Sequence, residues 1–392
     1  MKKLLTIWLL GLATCRLTAQ TATETALATI ERNNTTLKAL RLSADAEKQG
    51  NRAGNVLPDP EIGFNHLWGS EADMGTRRDV SVTQTFNFAT LSGRKRRLAA
   101  AADRQTDRQL QADRLEIRRE ARLKLLEHTY FSLLQRQQRQ RLAQAEQLVS
   151  SRERLLAEGE GNRPNLNYAK LELASSQAAL QRTGALLAST QADLQRLNGG
   201  IPLHFEAANF DNTPLPTDFD AWAADAIARN PTLAHTQGNI EHSRERLSLV
   251  AAERMPALSL GYMSEKTPGQ RYQGVSIGLN IPLWGNKRKL SQAKAEVVAA
   301  EALQADALQQ FRGRLEALYT RARGLQTTSQ TLQTALNGLN SEEWLRKSLD
   351  AGEISVVEYI SGLTLYYEAA ERALEAELEY RKAVAELLTI AD

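Results

Sequence analysis

The sequence predicts a mainly helical protein with a small β part, built from long antiparallel helical hairpins and four β-strands per chain. Its composition is rich in Ala, Gln, Leu, Arg and Glu, and only 6% of the 392 residues are aromatic, which favours long helices. Two proline-free runs, 94–156 and 288–349, would each reach roughly 90 Å as helices. Four short segments alternate apolar and polar residues, which indicates strands.

The segment 1–20 has the pattern of a secretory signal peptide, with Lys2 and Lys3 before a short apolar stretch. We therefore expect an exported chain. Cys15 is the only cysteine, which excludes an internal disulfide. The residues before Cys15 partly match a lipid-attachment signal, so Cys15 is expected either to carry a lipid or to be removed with the signal.

Charge argues against a nucleic-acid partner. The whole chain has a formal net charge of +3. Lys2, Lys3 and Arg16 supply three cations in a segment without acids, so the mature chain is about neutral. After residue 20 the sequence contains no run of about 18 apolar residues, which a transmembrane helix would need. If the protein spans a membrane, it must do so with strands.

One unit of about 195 residues is predicted to occur twice, because 80–88 matches 275–283, and a basic cluster and a Gly-Glu pair recur at nearly the same offset. The predicted organisation is a signal peptide at 1–20, a first repeat at 21–198 (β-hairpin 61–88, helical hairpin 94–197), a linker at 199–220 and a second repeat at 221–392 (β-hairpin 257–283, helical hairpin 288–390). The predicted helices are 22–55, 94–156, 164–197, 221–254 (N-cap Asp220), 288–349 and 356–390. The predicted strands are 61–68, 79–88, 257–263 and 272–283. Heptad-like apolar spacing predicts coiled-coil packing of the helical hairpins.

The strand at 272–283 has one apolar face and is about long enough to cross a bilayer when tilted. Packing of that face on a soluble core is the alternative. Four strands cannot close a barrel, whereas three copies of the chain would give twelve strands with every edge paired. The expected lipid-facing residues are Val275, Ile277, Leu279, Ile281 and Leu283.

Aromatic and basic residues lie just past the strands, where an aromatic girdle and lipid phosphates would meet them. A solvated run of charges is the alternative for the basic clusters, although cations are disfavoured at helix N-termini. The expected membrane-interface residues are Trp284, Arg94, Lys95, Lys287 and Arg288.

The repeated order, the junction V-S-I-G-L-N-I-P-L-W-G-N-K and the phrases L-A-E-G-E-G-N-R-P-N-L-N-Y-A and L-D-A-G-E-I-S-V-V-E-Y-I together resemble the TolC family of outer-membrane efflux proteins. The resemblance covers nearly the whole mature chain. It implies a homotrimer whose twelve-stranded outer-membrane β-barrel continues as an α-helical periplasmic tunnel. It further implies the exit duct of a tripartite efflux pump in a Gram-negative bacterium. The implied partners are a periplasmic adaptor, an inner-membrane pump of RND or ABC type, and outer-membrane lipid.

The Gly-containing turns between the helices of each hairpin correspond to the periplasmic tips of the resembled family, which meet the adaptor. Glycine could equally serve only to end a helix. The candidate adaptor-docking residues are Gly159, Glu160, Asn162, Arg163, Gly352, Glu353, Ile354 and Ser355.

Glu358 has two interpretations. The resemblance implies a tunnel constriction at which three copies of Glu358 form a ring that favours cations. The spacing Ser355–Glu358 is also that of a capping box, in which Glu358 bonds the backbone of Ser355.

The sequence contains no recognisable catalytic or metal-binding motif: the five histidines are scattered, and neither H-E-x-x-H nor a phosphate-binding loop is present. We therefore expect no enzymatic activity and no cofactor. The alternative function is a periplasmic adaptor-like or structural coiled-coil protein without a membrane barrel.

Overall fold

The computed structural model describes residues 22–71, 74–282, 286–339 and 341–391, and it is mainly helical with one β-sheet, as predicted. The helices are α1 (Ala22–Asn33), α2 (Thr35–Ala53), α3 (Phe88–Leu91), α4 (Arg94–Ala157), α5 (Arg163–Leu197), α6 (Phe219–Arg229), α7 (Pro231–Ala252), α8 (Asn286–Leu336), α9 (Ser341–Asp350) and α10 (Val356–Ala391). The strands are β1 (Glu61–Trp68), β2 (Thr76–Phe86), β3 (Ala257–Thr267) and β4 (Gln270–Asn280). The predicted signal peptide with Cys15, and also Leu283 and Trp284, lie outside the described residues.

The described residues form two compact units. The first, which we call the helical unit, contains residues 22–35, 117–216 and 318–389. The second, the sheet unit, contains 36–116, 217–317 and 390–391 and includes all four described strands. Among the described helices, none combines the length and apolar character needed to cross a membrane.

The four strands form one antiparallel sheet in the order β1-β2-β3-β4. The two hairpins differ in their connections. Residues 69–75 join β1 to β2, whereas only Pro268 and Gly269 join β3 to β4. Proline suits the first central position of a type II turn, and Gly269 has the positive φ of 80° that the second position requires. β1 and β4 are the edge strands of this sheet.

Apolar side chains from several helices form the core of the helical unit. Leu27 and Ile30 of α1 pack with Leu125 of α4 and Leu194 of α5. A second cluster joins α4, α5, α9 and α10 next to the turns that end α4 and α9. Full burial of each such side chain contributes about 1.5–3 kcal/mol. Helix packing therefore stabilises this unit.

Continuous helices at 22–55 and 221–254 were predicted, and both predictions are wrong, because a buried asparagine interrupts each helix. The Asn34 side-chain amide donates to the Leu197 carbonyl at 2.8 Å. The Asn230 amide donates in the same way to the Ile390 carbonyl at 2.7 Å. Asn230 also caps α7 by accepting from a backbone N–H. At each break, the asparagine is therefore hydrogen-bonded to the last turn of a later helix, α5 for Asn34 and α10 for Asn230.

The predicted helix at 288–349 is also wrong as a single element. α8 ends at Leu336, and Gly338 follows with φ of 88°, a left-handed conformation that ends a helix. α9 then runs separately to Asp350. By contrast, the run 94–156 forms one uninterrupted helix, α4, as predicted.

Smaller corrections concern element ends. The strand predicted at 257–263 continues to Thr267, since the two-residue turn lets β3 and β4 pair up to their tips. β4 ends at Asn280 instead of position 283, because Pro282 has no N–H to donate to a strand. Ile281 is exposed but lies beyond β4. The N-cap of α6 is Asp218, whose carboxylate accepts from a backbone N–H at 3.1 Å, and not Asp220.

Candidate functional site

The sheet has one face on which apolar side chains from all four strands lie side by side. The register pairs Ile62 with Val82, Val82 with Tyr262, and Tyr262 with Val275. Side chains that are paired across an antiparallel sheet point to the same face. We call this the apolar face; it consists of Ile62, Phe64, Val80, Val82, Leu258, Leu260, Tyr262, Val275, Ile277 and Leu279.

The apolar face is solvent-exposed in the single chain. Val275 is 82% exposed and Ile277 74%, and Leu279 is also well exposed. The predicted alternation of β4 is therefore present, and its apolar side does not pack on a core of this chain. A contiguous exposed apolar surface of this kind marks an interaction with lipid or protein.

The opposite face of the sheet carries mostly small and polar residues, with Leu67, Met263 and Tyr272 as its larger side chains. Ser81, Thr83, Gly261, Ser276 and Gly278 lie on it. A Cβ at Gly261 would lie 2.5 Å from the Ser276 hydroxyl, so a larger residue would collide with its neighbour. We call this the polar face.

The predicted interface cations have different surroundings. Arg94, at the start of α4, donates to the Ser248 carbonyl of α7 at 2.9 Å and also contacts the Ser248 hydroxyl. This bond attaches α4 to α7 and was not anticipated from sequence. Lys95 is half-buried, whereas Lys287 and Arg288 are exposed in the first turn of α8.

The turns that end α4 and α9 have the same backbone geometry. Gly159 has φ of 80° and Gly352 φ of 73°. The N–H after each glycine bonds a carbonyl five residues earlier, at 3.0 Å from Glu160 and 2.9 Å from Glu353. The glycine N–H groups bond three residues back, which completes a Schellman motif in both turns. The predicted tips are therefore matching helix ends.

The helices after the two turns begin with different caps. Asn162 Oδ1 accepts from the Asn165 N–H at 2.9 Å at the start of α5. Ser355 Oγ accepts from the Glu358 N–H at 3.2 Å, and Glu358 Oε2 accepts from the Ser355 N–H at 2.7 Å. The predicted capping box is therefore present. The Ser355 backbone N–H lowers the pKa of the Glu358 carboxyl because it stabilises the charged form.

The candidate docking residues differ in accessibility. Arg163, Glu160 and Glu353 are exposed, and Glu353 accepts from the Ser348 hydroxyl at 3.0 Å. Ile354 is half-buried and packs against the apolar cluster of α4, α5, α9 and α10. Both turns therefore expose acidic side chains next to a packed apolar cluster.

Next to this apolar cluster, polar side chains of α4, α5, α9 and α10 form a hydrogen-bonded network. Gln144 donates to Glu342 at 2.9 Å, and the buried Tyr367 hydroxyl donates to Gln144 at 2.8 Å. Arg141 lies over the Tyr367 ring and donates to Glu172 at 2.8 Å. Burial raises the pKa of the Tyr367 hydroxyl, which stays protonated as a donor. Because these residues are distant in sequence, no local pattern could reveal them.

A groove of about 700 Å³ opens beside this network, between α4 and the helices α9 and α10. Its wall is polar and carries both signs of charge, with Arg152 and Arg346 near Glu342, Glu343 and Asp350. In the part of the chain that the structure describes, no three His, Cys, Asp or Glu side chains come together as metal ligands.

An antiparallel sheet with one exposed apolar face, joined to long helices that reverse at glycine turns, is the fold of outer membrane channels. Three solved structures show the likeness. The CmeC outer membrane channel of Campylobacter jejuni matches with a TM-score of 0.77 at 12% identity, covering 95% of this chain and 85% of that chain. The open-state MtrE outer membrane channel of Neisseria gonorrhoeae matches at 0.71 and 17% identity, covering 94% and 88%. CusC matches at 0.73 and 14% identity, covering 94% and 92%.

No protein-family model matches the sequence, and no curated protein matches it either. The structural likeness nevertheless extends over nearly the whole described chain. It confirms the mainly helical fold with a four-stranded antiparallel sheet, which this chain shares with the solved outer membrane channels.

Proposed function

We propose that this protein is the outer-membrane exit duct of a tripartite efflux pump in a Gram-negative bacterium. It would conduct substrates passively from a periplasmic adaptor and an inner-membrane pump to the exterior. The observation that carries the proposal is the apolar face, which runs across all four strands and is exposed in the single chain. Hydrocarbon would cover this face, while the polar face would line a water-filled lumen.

The number of strands supports a homotrimer. β1 and β4 are unpaired edges, and open edges are not tolerated in a bilayer because their polar backbone groups cannot be satisfied there. With four antiparallel strands in one chain, β4 of one copy runs antiparallel to β1 of the next. Three copies would therefore close a twelve-stranded barrel without any parallel pairing.

Internal duplication is supported by matched details in the two halves. Two helices, a strand pair, a long helix and a returning helix occur in this order in both halves, although the separate helix α9 precedes the returning helix of the second half. Asn34 and Asn230 lie at the breaks between the first two helices of each half and make the same kind of hydrogen bond, and the turns at Gly159 and Gly352, after α4 and α9, have the same geometry.

We assign the remaining sequence candidates within this proposal. The glycine turns, with Glu160, Arg163 and Glu353 exposed, would dock the adaptor at the periplasmic end of a helical tunnel. Glu358 would both cap α10 and contribute to a tunnel constriction, since an exposed carboxylate in a capping box keeps its charge. The exposed Lys287 would meet lipid phosphate at the inner boundary of the barrel.

Cysteine labelling tests which face of β4 meets lipid. Ser276→Cys and Ile277→Cys are adjacent and point to opposite faces. In a background with Cys15→Ser, the mature chain contains no other thiol. In intact outer membranes, a membrane-impermeant thiol reagent should label Ser276→Cys and should leave Ile277→Cys unlabelled until the protein is denatured.

Fractionation provides the control. Wild type and both variants should be extracted from membranes only by detergent and should migrate as heat-dissociable trimers. Recovery of a soluble monomer would contradict the duct and favour an adaptor-like coiled-coil protein. Labelling of Ile277→Cys with protection of Ser276→Cys would reverse the assignment of the two faces.

A further inference from the structure

A row of four basic side chains crosses the sheet near the hairpin tips. The register places His66 opposite Arg78, Arg78 opposite Lys266, and Lys266 opposite Arg271. All four therefore point to the apolar face. We call them the basic row. Neighbouring strands are about 4.8 Å apart, so the row is about 14 Å wide.

Direct cross-strand pairing of like charges is destabilising, so such a row needs a counter-ion. Among the described residues, Arg78, Lys266 and Arg271 form no ion pair with a carboxylate, although Arg271 Nε donates to the Ser264 hydroxyl at 3.4 Å. All three side chains are exposed.

On the polar face, at the same position along the strands, the cation is paired with carboxylates. Arg77, adjacent to Arg78 in β2, pairs with Asp79 at 2.9 Å and with Glu265 at 3.1 Å. One cation is thus matched by two carboxylates on the polar face. On the apolar face the described chain offers the cations no such partner, which indicates that their anion comes from outside the protein.

The position of the row along the strands fits the edge of a hydrocarbon layer. Nine residue steps separate Arg271 from Asn280, where β4 ends. At about 3.4 Å per step and a tilt of about 40°, they span about 23 Å of membrane thickness, close to the apolar band of about 25 Å in membrane barrels. The next positions below the row on the same face are Phe64 and Val80 on β1 and β2, and Ser264 and Gln273 on β3 and β4.

We propose that the basic row binds the phosphate groups of lipid headgroups in the outer leaflet of the outer membrane. This inference rests on the proposed membrane insertion of the sheet. Two arginines and a lysine offer many donors to phosphate oxygens, and arginine binds phosphate through paired N–H groups. Phe64 and Val80 directly below, and Ile62, Val82, Tyr262 and Val275 one position further, would meet the acyl chains of the same lipids, which a free phosphate ion lacks.

The test measures binding of fluorescent lipid A, a diphosphorylated glycolipid, to the full-length mature protein in neutral detergent. The variant is Arg78→Gln/Lys266→Gln/Arg271→Gln, and the matched control is Arg77→Gln on the polar face. Each cation near an anionic lipid surface changes affinity about fivefold, so the triple variant should bind about 100-fold more weakly. The control should stay within about twofold of wild type, and inorganic phosphate should not displace the lipid.

Folding is checked by the heat-dissociable trimer. A second variant, Arg78→Lys/Arg271→Lys, keeps the charges and should retain affinity to within about tenfold. Binding by the triple variant within about twofold of wild type would overturn the inference. Full displacement by millimolar inorganic phosphate would also overturn it, because it would indicate a site for free anions.

Flotation with vesicles of phosphatidylcholine alone separates this inference from the proposed function. If wild type fails to float with these vesicles, the membrane-embedded sheet is refuted and the lipid row with it. If wild type and the triple variant both float but bind lipid A equally, only the basic row is refuted.

Discussion

Arginine at Val275 should destabilise the membrane-embedded protein, whereas arginine at its neighbour Gly274 should not. Val275 is on the apolar face, four residues from Arg271 and five from Asn280, so it is close to the middle of the proposed hydrocarbon layer. A lipid-facing arginine at the bilayer midplane costs about 2–4 kcal/mol per chain. Gly274 points to the polar face, and nothing lies within 4 Å of a Cβ built there. Its replacement should change stability by about 1 kcal/mol or less.

The same reasoning predicts a gradient along β4. Ile277→Arg should cost less than Val275→Arg, and Leu279→Arg should cost only about 0–1 kcal/mol because it lies next to the end of the strand. Guanidinium unfolding in phosphatidylcholine vesicles, followed by tryptophan fluorescence, would give the free energy of unfolding for each variant. Val275→Leu controls for the change in side-chain size.

Two results would refute this reasoning. If Val275→Arg and Gly274→Arg cost the same, the two faces of the sheet do not meet different solvents. If the cost does not fall from Val275 towards Leu279, the apolar face does not cross a hydrocarbon layer at the depth inferred from the strand length.

Four further predictions concern the helices and their ends. Ser355→Ala should lower the free energy of unfolding by about 1 kcal/mol in chemical denaturation, because it removes an N-cap. The folded-state pKa of Glu358 lies below its ordinary value of 4.5. The stabilisation that the charged carboxylate gives as a cap is therefore present above pH 4.5 and is lost as the pH falls through the folded-state pKa. The difference in Tm between wild type and Glu358→Gln should disappear between pH 7 and pH 3, and a constant difference would contradict the cap. Asn230→Ala should cost about 1–3 kcal/mol by leaving a buried carbonyl without its donor, as measured by thermal unfolding. Gly352→Ala should lower the free energy of unfolding by about 1–2 kcal/mol because Gly352 has a positive φ. The control Gly313→Ala, within α8, should raise it by up to about 1 kcal/mol. Equal effects of the two substitutions in calorimetry would argue against the left-handed turn.

The strands could be predicted from sequence because apolar and polar residues alternate along them. The alternation from Val275 to Leu279 places the two kinds of residue on opposite faces of the sheet, and β1 has the predicted ends. The ends of β3 and β4 were less predictable. They depend on how far the strands pair beyond the apolar residues, towards Thr267 and Gln270.

The break at Asn34 could not be predicted because its cause is tertiary, whereas the break at Asn230 had a local signal in Pro231, which begins α7. Asparagine within a helical run is only mildly unfavourable. What interrupts the helix at Asn34 is a bond to the Leu197 carbonyl, which is distant in sequence. The Asn337–Gly338 pair that ends α8 is a local signal, because glycine readily adopts the left-handed conformation that ends a helix.

In the candidate site, too, features that depend on local sequence could be predicted, whereas features that depend on tertiary structure could not. Ser355 and Glu358 of the capping box are three positions apart, so their spacing could be recognised in the sequence. The basic row requires the register of four strands, and the bond of Tyr367 to Gln144 joins two helices. Neither has a signature in local sequence.

The two glycine turns have one further consequence, which concerns symmetry. In the proposed trimer, six turns of the same backbone shape would ring the periplasmic end. Their side chains repeat only three times, because exposed Arg163 and neutral Asn165 on one turn correspond to buried Val356 and acidic Glu358 on the other. A partner ring of six equal subunits would fit the backbone at every turn, but its subunits would meet two alternating electrostatic environments. Adaptor copies at such a ring would be non-equivalent in pairs, although they share one sequence.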